Sequence, residues 1–536
     1  MPDFVDTAEQ IVDALLETDP RLASAVGDHR YDNRLPDLSP GAVAERNTML
    51  REAADALAGI DPDTFDAEEQ VDHAILSARV ERALFELSDV REHEWNPLAH
   101  NPGGLLHALI ARPFAPLDER LASLGGRLAA IPDALATARA VLRDIPRIHT
   151  ETAIGQFAGV TGLIRDEIPA LLDEEPSLRT AVEPAAAAAV AALTEFGAWL
   201  RTQLDVPGRD PRLGRPLWEA RLWHTLDTEL TAAEVLDRAR RNLADAGAEL
   251  RELAAELVGE PASDATVRKA LDRLAADHPD GETIVGLARL SLDEATAFVR
   301  DHDLLTLTDD PLVIEEMPEF ARGVAVAYCD SPGAFEPAGL PTFYCIAPAP
   351  SDWPAERAES LYREYNDHMV RNLTVHEAMP GHFLQIAHAR RFRGRTRVRA
   401  IGSSGPFVEG WAVYAEELLA GLGFGGAPVR MQQLKMQLRT SLNAILDQLV
   451  HCENLPESEA MALMTGAGFQ EQGEAAGKWR RAQLTSTQLS TYFVGYSEIA
   501  AIAASRPFGA TPKAWHDAML AHGSPPPRHL RTLLDV

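Results

Sequence analysis

Helical periodicity is the feature that most constrains the fold of this chain. Much of the first 300 residues consists of amphipathic segments with short breaks, and the clearest is TAAEVLDRARRNLADAGAELRELAAEL. There Thr231 and Glu234 form a capping-box pattern, and apolar residues follow at helical spacing. In PAAAAAVAALTEFGAWL, Pro184 is expected in the first helical turn, before a run of alanine, the strongest helix former. The pattern predicts a mainly α protein with a large, bundle-like helical structure.

The residue pattern of the sequence changes from helical to strand-like near residue 311. The segments PLVIEEMP, GVAVAYC and TFYCIAP are short, β-branched or aromatic, and bounded by Pro or Gly, which predicts a small β-sheet. Helical periodicity returns from about Ala355 and lasts to the end, so we expect the sheet beside a following helix, at a deep cleft. We predict one domain over 1–536. A loop-rich stretch at 206–216 offers a division into a helical part, 1–205, and a second helical part, 217–536, with the chemical motifs in 311–500.

Charge and cysteine content exclude several classes of partner. A formal net charge of -31 repels phosphates, so we expect neither a nucleic acid nor an anionic membrane as partner. Three scattered cysteines form no disulfide framework, which favours a reducing compartment. The first residues have no basic region followed by an apolar one, and we find no stretch of about 20 apolar residues. From these features we expect a cytoplasmic protein.

The stretch LTVHEAMPGHFLQ poses a spacing problem. His376 and Glu377 match the start of the zinc-peptidase pattern H-E-x-x-H, but the next histidine, His382, is six positions on instead of four. At about 100° per residue, a regular helix would point it away from the first. Pro380 has no N–H to donate to the carbonyl of His376, and Gly381 tolerates backbone angles closed to other residues. The pair predicts a local bulge or break that returns His382 to the face of His376.

These residue types suit a catalytic metal site. Neutral imidazoles are good zinc ligands, and a catalytic site keeps one coordination position open for water. Zinc lowers the pKa of that water, and an adjacent carboxylate takes its proton during attack on a carbonyl, so Glu377 is the natural base. Manganese or cobalt would fit the same ligands. The alternative is that His376 caps or packs a helix and His382 only lies near a kink.

A third protein ligand is needed, and the downstream segment GPFVEGWAVYAEELL offers three glutamates on one predicted helix. Glu409 is the predicted ligand. Glu416 follows two turns later on nearly the same face, so it is a candidate to hold a liganding histidine in place.

HEAMPGHFLQ followed by FVEGWAVYAEEL resembles the DUF885 family of bacterial proteins, with its H-E-x-x-P-G-H and E-G-W-A-x-Y motifs. The likeness extends over nearly the whole chain through YDNRLPDLS, RLGRPLWEARLWHTLDTELTAAEVL, GLPTFYCIAP, ILDQLVHCENLPESEAMALM and RAQLTSTQLSTYFVG. The family is zinc metallopeptidase-like, helical, and distantly similar to thermolysin-clan and M32-type carboxypeptidases. The resemblance implies His376, His382 and Glu409 as metal ligands and Glu377 as general base and acid. Phe383 departs from the family, since many relatives have a histidine there.

Other residues are candidates to support such a reaction. An oxyanion needs a donor beside the metal, and Tyr492 and His451 both lie in family-like segments. Asp447, one helical turn before His451, would orient its imidazole. The alternatives are an amphipathic surface residue for Tyr492 and a structural Asp–His pair.

Two further residues are candidates for substrate binding. The guanidinium of Arg481 matches a substrate carboxylate, although KWRRAQ is also typical of a solvated helix face. Tyr344, on an expected edge strand, would line the cleft unless it is simply packed.

The sequence therefore predicts a zinc-dependent metallopeptidase-like hydrolase that acts on small peptides or peptide-like amides. Two alternatives stay open: a metal-dependent hydrolase of a non-peptide amide or ester metabolite, and a non-catalytic metal-binding protein. The presence of Glu377 argues against the last, because a structural zinc site has no use for a carboxylate beside its ligand.

Overall fold

The computed structural model of the protein describes residues 3–317, 326–351 and 353–536. The chain forms two compact units, each assembled from separate stretches of sequence. The first contains Met1–Pro211, Pro332–Leu340 and Gly394–Ile401, and the second contains Arg212–Ser331, Pro341–Arg393 and Gly402–Val536. Helices dominate both units, which confirms the mainly α class. The predicted single domain, its division, and the deep cleft stay predictions.

The first unit is built from helices, numbered here in chain order. They are α1 Phe4–Thr18, α2 Pro20–Val26, α3 Pro40–Ala58, α4 Ala67–Phe85, α5 Glu92–Trp95, α6 Gly103–Ala111, α7 Leu117–Val141, α8 Arg147–Glu174, α9 Arg179–Gln203 and α17 Val398–Ile401. Short 3₁₀ turns occupy His29–Tyr31, Pro62–Thr64, Pro97–His100 and Pro176–Leu178, and a π turn occupies Glu86–Val90. Its largest apolar core lies where α6 to α9 pack together.

Helix α9 corrects one expectation. It begins at Arg179, so Pro184 lies inside the helix and not in its first turn. A proline there removes a single backbone hydrogen bond, and the alanines that follow sustain the helix on either side of that loss.

The second unit holds the remaining helices and the sheet. Its helices are α10 Arg215–Leu226, α11 Ala232–Val258, α12 Asp264–Leu274, α13 Ile284–Asp301, α14 Ala355–Glu364, α15 Asp367–Glu377, α16 His382–Ala389, α18 Gly405–Gly421, α19 Gly426–Glu453, α20 Glu457–Gly466, α21 Gln472–Leu484, α22 Ser490–Ala504, α23 Pro512–Leu520 and α24 Pro527–Leu534. At the start of α11, the predicted capping box is confirmed, because the Thr231 hydroxyl accepts from the Glu234 N–H and the Glu234 carboxylate accepts from the Thr231 N–H. Within the described ranges, none of the helices combines the length and apolarity that a membrane span requires.

The small sheet has three strands, β1 Leu312–Glu316, β2 Ala327–Asp330 and β3 Thr342–Ile346. β3 lies in the middle, parallel to β1 and antiparallel to β2, with Ile314 and Cys329 on either side of Tyr344. Residues 318 and 323–325 of the predicted strand segments lie outside the described residues. The sheet packs on α15, as expected from the order of these segments in the sequence.

Candidate metal centre

The helix is interrupted between the two motif histidines, as the Pro–Gly pair predicts. Helix α15 ends at Glu377 and α16 begins at His382, with a cis peptide bond between Met379 and Pro380. The Gly381 N–H donates to the carbonyl of Val375 at 3.0 Å, which folds the chain back on the end of α15.

Gly381 is required by this close approach. A Cβ atom at this position would lie 1.9 Å from the carbonyl oxygen of His376 and 2.4 Å from that of Val375, and neither backbone atom can rotate away. The indole N–H of Trp411, on α18, donates to the Pro380 carbonyl at 2.8 Å and holds the break against α18.

The break brings the predicted ligands together. The imidazole rings of His376 and His382 lie 4.7 Å apart, edge to face. Glu409 Oε2 is 3.6 Å from His376 Nε2 and 3.5 Å from His382 Nε2, and one donor atom from each of the three residues falls within 4.8 Å of the others. Zinc–ligand bonds of 2.0–2.1 Å in a tetrahedron place ligand atoms about 3.4 Å apart, so these separations suit one zinc ion.

The carboxylate oxygen at the centre of this cluster lacks the hydrogen-bond partner that a buried acceptor needs. Glu409 Oε2 is buried and has no hydrogen-bond partner among the described residues, since its distances to both imidazoles exceed a hydrogen bond. A buried acceptor without a partner is costly unless a cation satisfies it. The residues present therefore fit a divalent ion bound by two imidazoles and a carboxylate.

Glu416 positions the first histidine. Its Oε1 accepts a 2.7 Å hydrogen bond from His376 Nδ1, and its Oε2 accepts one of 2.5 Å from the Asn372 amide. Because Nδ1 carries the donated hydrogen, the lone pair of His376 lies on Nε2, which faces Glu409. Glu416 is only 1% exposed, so its orientation is fixed by the core. The predicted orienting contact is observed.

The electrostatics of the cluster favour positive charge at its centre. Burial alone would lower the pKa of His376, but Glu409 and Glu416 raise it well above its usual range. Burial alone would raise the pKa of Glu409, but the imidazoles of His376 and His382 lower it. A divalent cation supplies that charge while leaving the imidazoles neutral, the form in which they bind metals.

Glu377 is close both to this cluster and to the sheet. Its side chain is buried, and burial raises the pKa of its carboxyl; the two imidazoles oppose that effect, and Glu409 and Glu416 reinforce it. Burial raises the pKa of Cys329 on β2 and of Tyr344 on β3, and the charge of Glu377 raises both further, so both strands lie near it.

Tyr344 does not occupy the expected place. β3 is the central strand and not an edge, because β1 and β2 both pair with it. The ring is fully buried, and its hydroxyl shares a 3.2 Å hydrogen bond with Thr374 of α15. Tyr344 therefore anchors the sheet to the helix that carries His376, and the expectation of an edge strand is wrong; a role toward a substrate stays a prediction. Strand order cannot be inferred from three short apolar segments.

His451 also has different neighbours from those expected. Nδ1 accepts from the Leu213 N–H at 3.3 Å, and Nε2 donates to the carbonyls of Ala482 and Thr485 at 2.9 Å each. Its ring is thus engaged by the main chain. The expected partner Asp447 accepts instead from Trp218, Thr487 and Ser490. The predicted Asp447–His451 pair is not formed in the described part of the chain.

Tyr492 and Arg481 contact each other. Arg481 Nη2 donates to Tyr492 Oη at 3.1 Å, and the guanidinium lies 5.8 Å from the centre of the tyrosine ring. Because the tyrosine oxygen accepts this bond, its own O–H is left to donate elsewhere. Their roles toward a substrate stay predictions.

Some residues of the site escape sequence reasoning. Asn372 and Thr374 lie on α15 within one turn of His376, but their residue types carry no metal-site signal. Helical spacing alone would have placed Asn372, four positions before His376, on the same face.

Comparison with known proteins identifies the family. The sequence matches "Bacterial protein of unknown function (DUF885)" over residues 20–534, so the chain belongs to this family, as its motifs suggested. A solved structure from Shewanella oneidensis, described as "a putative lipoprotein of unknown function", has 26% sequence identity and a TM-score of 0.84, with 100% of both chains covered. A comparison with curated proteins finds no match.

Two more distant structures are similar to the chain. One, described as "the putative lipoprotein from Colwellia psychrerythraea", has 16% identity and a TM-score of 0.82 over 99% of this chain and 98% of that one, which shows the fold alone. An M32 carboxypeptidase from Deinococcus radiodurans R1 has 11% identity and a TM-score of 0.35 over 93% of this chain and 96% of that one. A TM-score this low supports no inference about the fold or function of this chain.

The comparisons correct one expectation. Two of the similar structures are described as lipoproteins, a class held at a membrane by a lipid anchor, and this contradicts the expected cytoplasmic location. Cysteine count and an acidic composition do not determine cellular address, which is why that expectation was wrong.

Proposed function

We propose that this protein is a metal-dependent hydrolase, with zinc as its ion, that cleaves small peptides or peptide-like amides. The observation that carries the proposal is the convergence of His376, His382 and Glu409 around one buried point, with Glu377 beside it. An ion held there supplies Lewis-acid activation of water and of a substrate carbonyl.

The protein's own residues do the remaining work. Glu377 is buried beside the proposed ligands, so its carboxylate is the group that takes a proton from the attacking water. The same carboxyl group then donates that proton to the leaving nitrogen. Glu416 keeps the His376 ring oriented throughout. The hydroxyl of Tyr492 is the proposed donor to the developing oxyanion.

The test combines elemental analysis with a peptide-library digest of the purified protein, before and after chelation. We expect one zinc per chain, cleavage in the loaded protein, and loss of cleavage on chelation. Glu377→Gln should retain the metal and lower turnover by about 10²–10⁴-fold, because it removes the proton acceptor and little else. Glu356→Gln, the same change at an exposed position of α14, is the matched control and should not alter turnover.

Two outcomes would overturn parts of this proposal. Unchanged turnover in Glu377→Gln would reject the base. If the zinc-loaded protein hydrolyses simple amides or esters but no peptide in the library, the proposed peptide substrate is wrong and the substrate is a non-peptide compound.

A further inference from the structure

Four cationic side chains lie near one another in the second unit: Lys435 and Arg439 on α19, and Lys478 and Arg481 on α21. Two of them are balanced by carboxylates: Lys435 donates to Glu364 at 2.7 Å. Arg439 pairs with Glu474 and also donates to the hydroxyl of Tyr365 at 3.3 Å.

The other two cations form no ion pair with a carboxylate among the described residues, and Glu474, one turn before Lys478 on α21, is engaged by Arg439. Lys478 is only 5% exposed and has no hydrogen-bond or ion-pair partner among the described residues. Burial lowers its pKa well below the usual value, and Arg439 and Arg481 lower it further, so the charges that face it are positive. Arg481 donates to neutral groups, the amide oxygen of Gln488 at 2.7 Å and Tyr492 Oη.

This arrangement is unusual in a chain with a net charge of -31. Acidic residues are plentiful, yet these two cations, Lys478 buried and Arg481 half-buried, form no ion pair among the described residues. A buried cation without a counter-ion is costly, so this position favours a group of opposite charge beside it. A bound anion would supply the missing counter-ion.

Tyr492, which Arg481 contacts, lies on a helix that packs beside the metal centre. It lies on α22, which packs along α18, the helix that carries Glu409. The two helices touch at glycines, because a Cβ atom at Gly410 would lie 2.3 Å from the backbone of Gly495. Gly410 follows Glu409 directly, and Gly495 lies one helical turn after Tyr492. Tyr492 therefore lies one helical turn from the point where α22 contacts α18 beside Glu409.

We propose that Lys478 and Arg481, with Arg439 behind them, form a subsite that binds a carboxylate of the substrate. The inference rests on the proposed function, since it assigns a substrate class to the same centre: peptides with a free carboxylate, either the C-terminal α-carboxylate or an acidic side chain. A planar guanidinium and an ammonium beside it match the two oxygens of such a group.

A purely structural role predicts something different. If Lys478 only supported the fold, its replacement by methionine, which has a similar length and no charge, would lower stability or leave it unchanged. If its charge is held for a ligand, removal relieves the cost of burial, so Lys478→Met should melt at a higher temperature while binding carboxylates less tightly.

The experiment measures binding and hydrolysis separately in the full-length protein. By calorimetry, we compare N-acetyl-alanyl-alanine with its C-terminal amide and with an amidated peptide that carries one aspartate. The same end-group series is then compared in peptide digestion. Lys478→Met is the test variant, and Arg480→Met, an exposed neighbour on the same helix, is the matched control.

We expect the unmodified protein to bind a carboxylate probe about 10–100-fold more tightly than the neutral amide, the effect of one charge-assisted contact. Lys478→Met should abolish that preference, raise the melting temperature and increase KM more than it changes kcat. Arg480→Met should leave the carboxylate preference and KM unchanged. Preference for the terminal acid or for the aspartate peptide identifies which carboxylate is bound.

Equal binding of acid and amide, or a preference that survives in Lys478→Met, would overturn the subsite. Carboxylate-selective binding without hydrolysis of any peptide would keep the subsite and reject the proposed peptidase. Peptide hydrolysis without a preference for carboxylates would reject the subsite and keep the proposed peptidase.

Discussion

Replacement of Gly381 by alanine tests whether the break between α15 and α16 builds the metal centre. The new Cβ would start 1.9 Å from the carbonyl oxygen of His376, and real Cβ atoms do not approach within 3.0 Å of other heavy atoms. One side of this contact must therefore move by about 1.1 Å. Both sides are backbone, so no rotamer change relieves the clash.

The size of that shift sets the expected effect. Functional side chains must be held within about 0.5 Å of their working geometry, and the displaced atoms belong to a ligand residue and to the residue before another ligand. We expect zinc affinity to fall by at least about 100-fold and the free energy of unfolding by about 2–4 kcal/mol. Zinc affinity is measured by competition with a chromophoric chelator, and stability by urea unfolding.

Gly286→Ala is the matched control. Gly286 lies inside α13, and a Cβ atom there meets nothing within 4 Å. Alanine should stabilise that helix by about 0.5–1 kcal/mol and leave zinc affinity unchanged. Wild-type zinc affinity in Gly381→Ala, with the expected result at Gly286, would refute the claim that the close-packed break aligns the two histidines.

Two further changes have outcomes set by the structure. Glu416→Gln replaces the acceptor of His376 Nδ1 by a neutral amide, so zinc affinity should fall about 10–100-fold in the same chelator competition, and an unchanged affinity would show that the contact does not orient the ligand. In the first unit, burial lowers the pKa of His29, but its contacts with Asp32 and Glu336 prevail and raise it to about 9. The stabilisation from these contacts is complete below the unfolded pKa of 6.5 and is lost as pH rises through 9. Between those pH values the free energy of unfolding should fall by about 1–2 kcal/mol, after allowance for a ring that is one-third exposed. His29→Gln should flatten that dependence in pH-resolved urea unfolding, and an equally steep decline in the variant would assign it to other groups.

The parts of the structure that sequence predicts best are governed by local rules. The capping box of α11 forms because its partners are three residues apart, and the break at Pro380–Gly381 forms because proline lacks an N–H and glycine lacks a Cβ. Helical spacing likewise placed Glu409 and Glu416 on one face of α18, where both reach His376.

The parts that sequence predicts poorly depend on contacts distant in the chain. Tyr344 was assigned to an edge because nothing local reveals that β3 lies between β1 and β2. His451 resembles a catalytic histidine until its main-chain partners, more than 30 residues away on either side, are known. KWRRAQ is typical of a solvated helix face, and only packing against α19 reveals the buried Lys478.

Anomalous diffraction at the zinc edge, from crystals grown with zinc, tests the central claim most directly. We predict a single strong peak within about 2.0–2.2 Å of His376 Nε2, His382 Nε2 and a Glu409 oxygen, with Glu416 still bonded to Nδ1 of His376. A zinc peak elsewhere, or no peak between these three residues in a protein saturated with zinc, would contradict the metal centre and the hydrolase built on it.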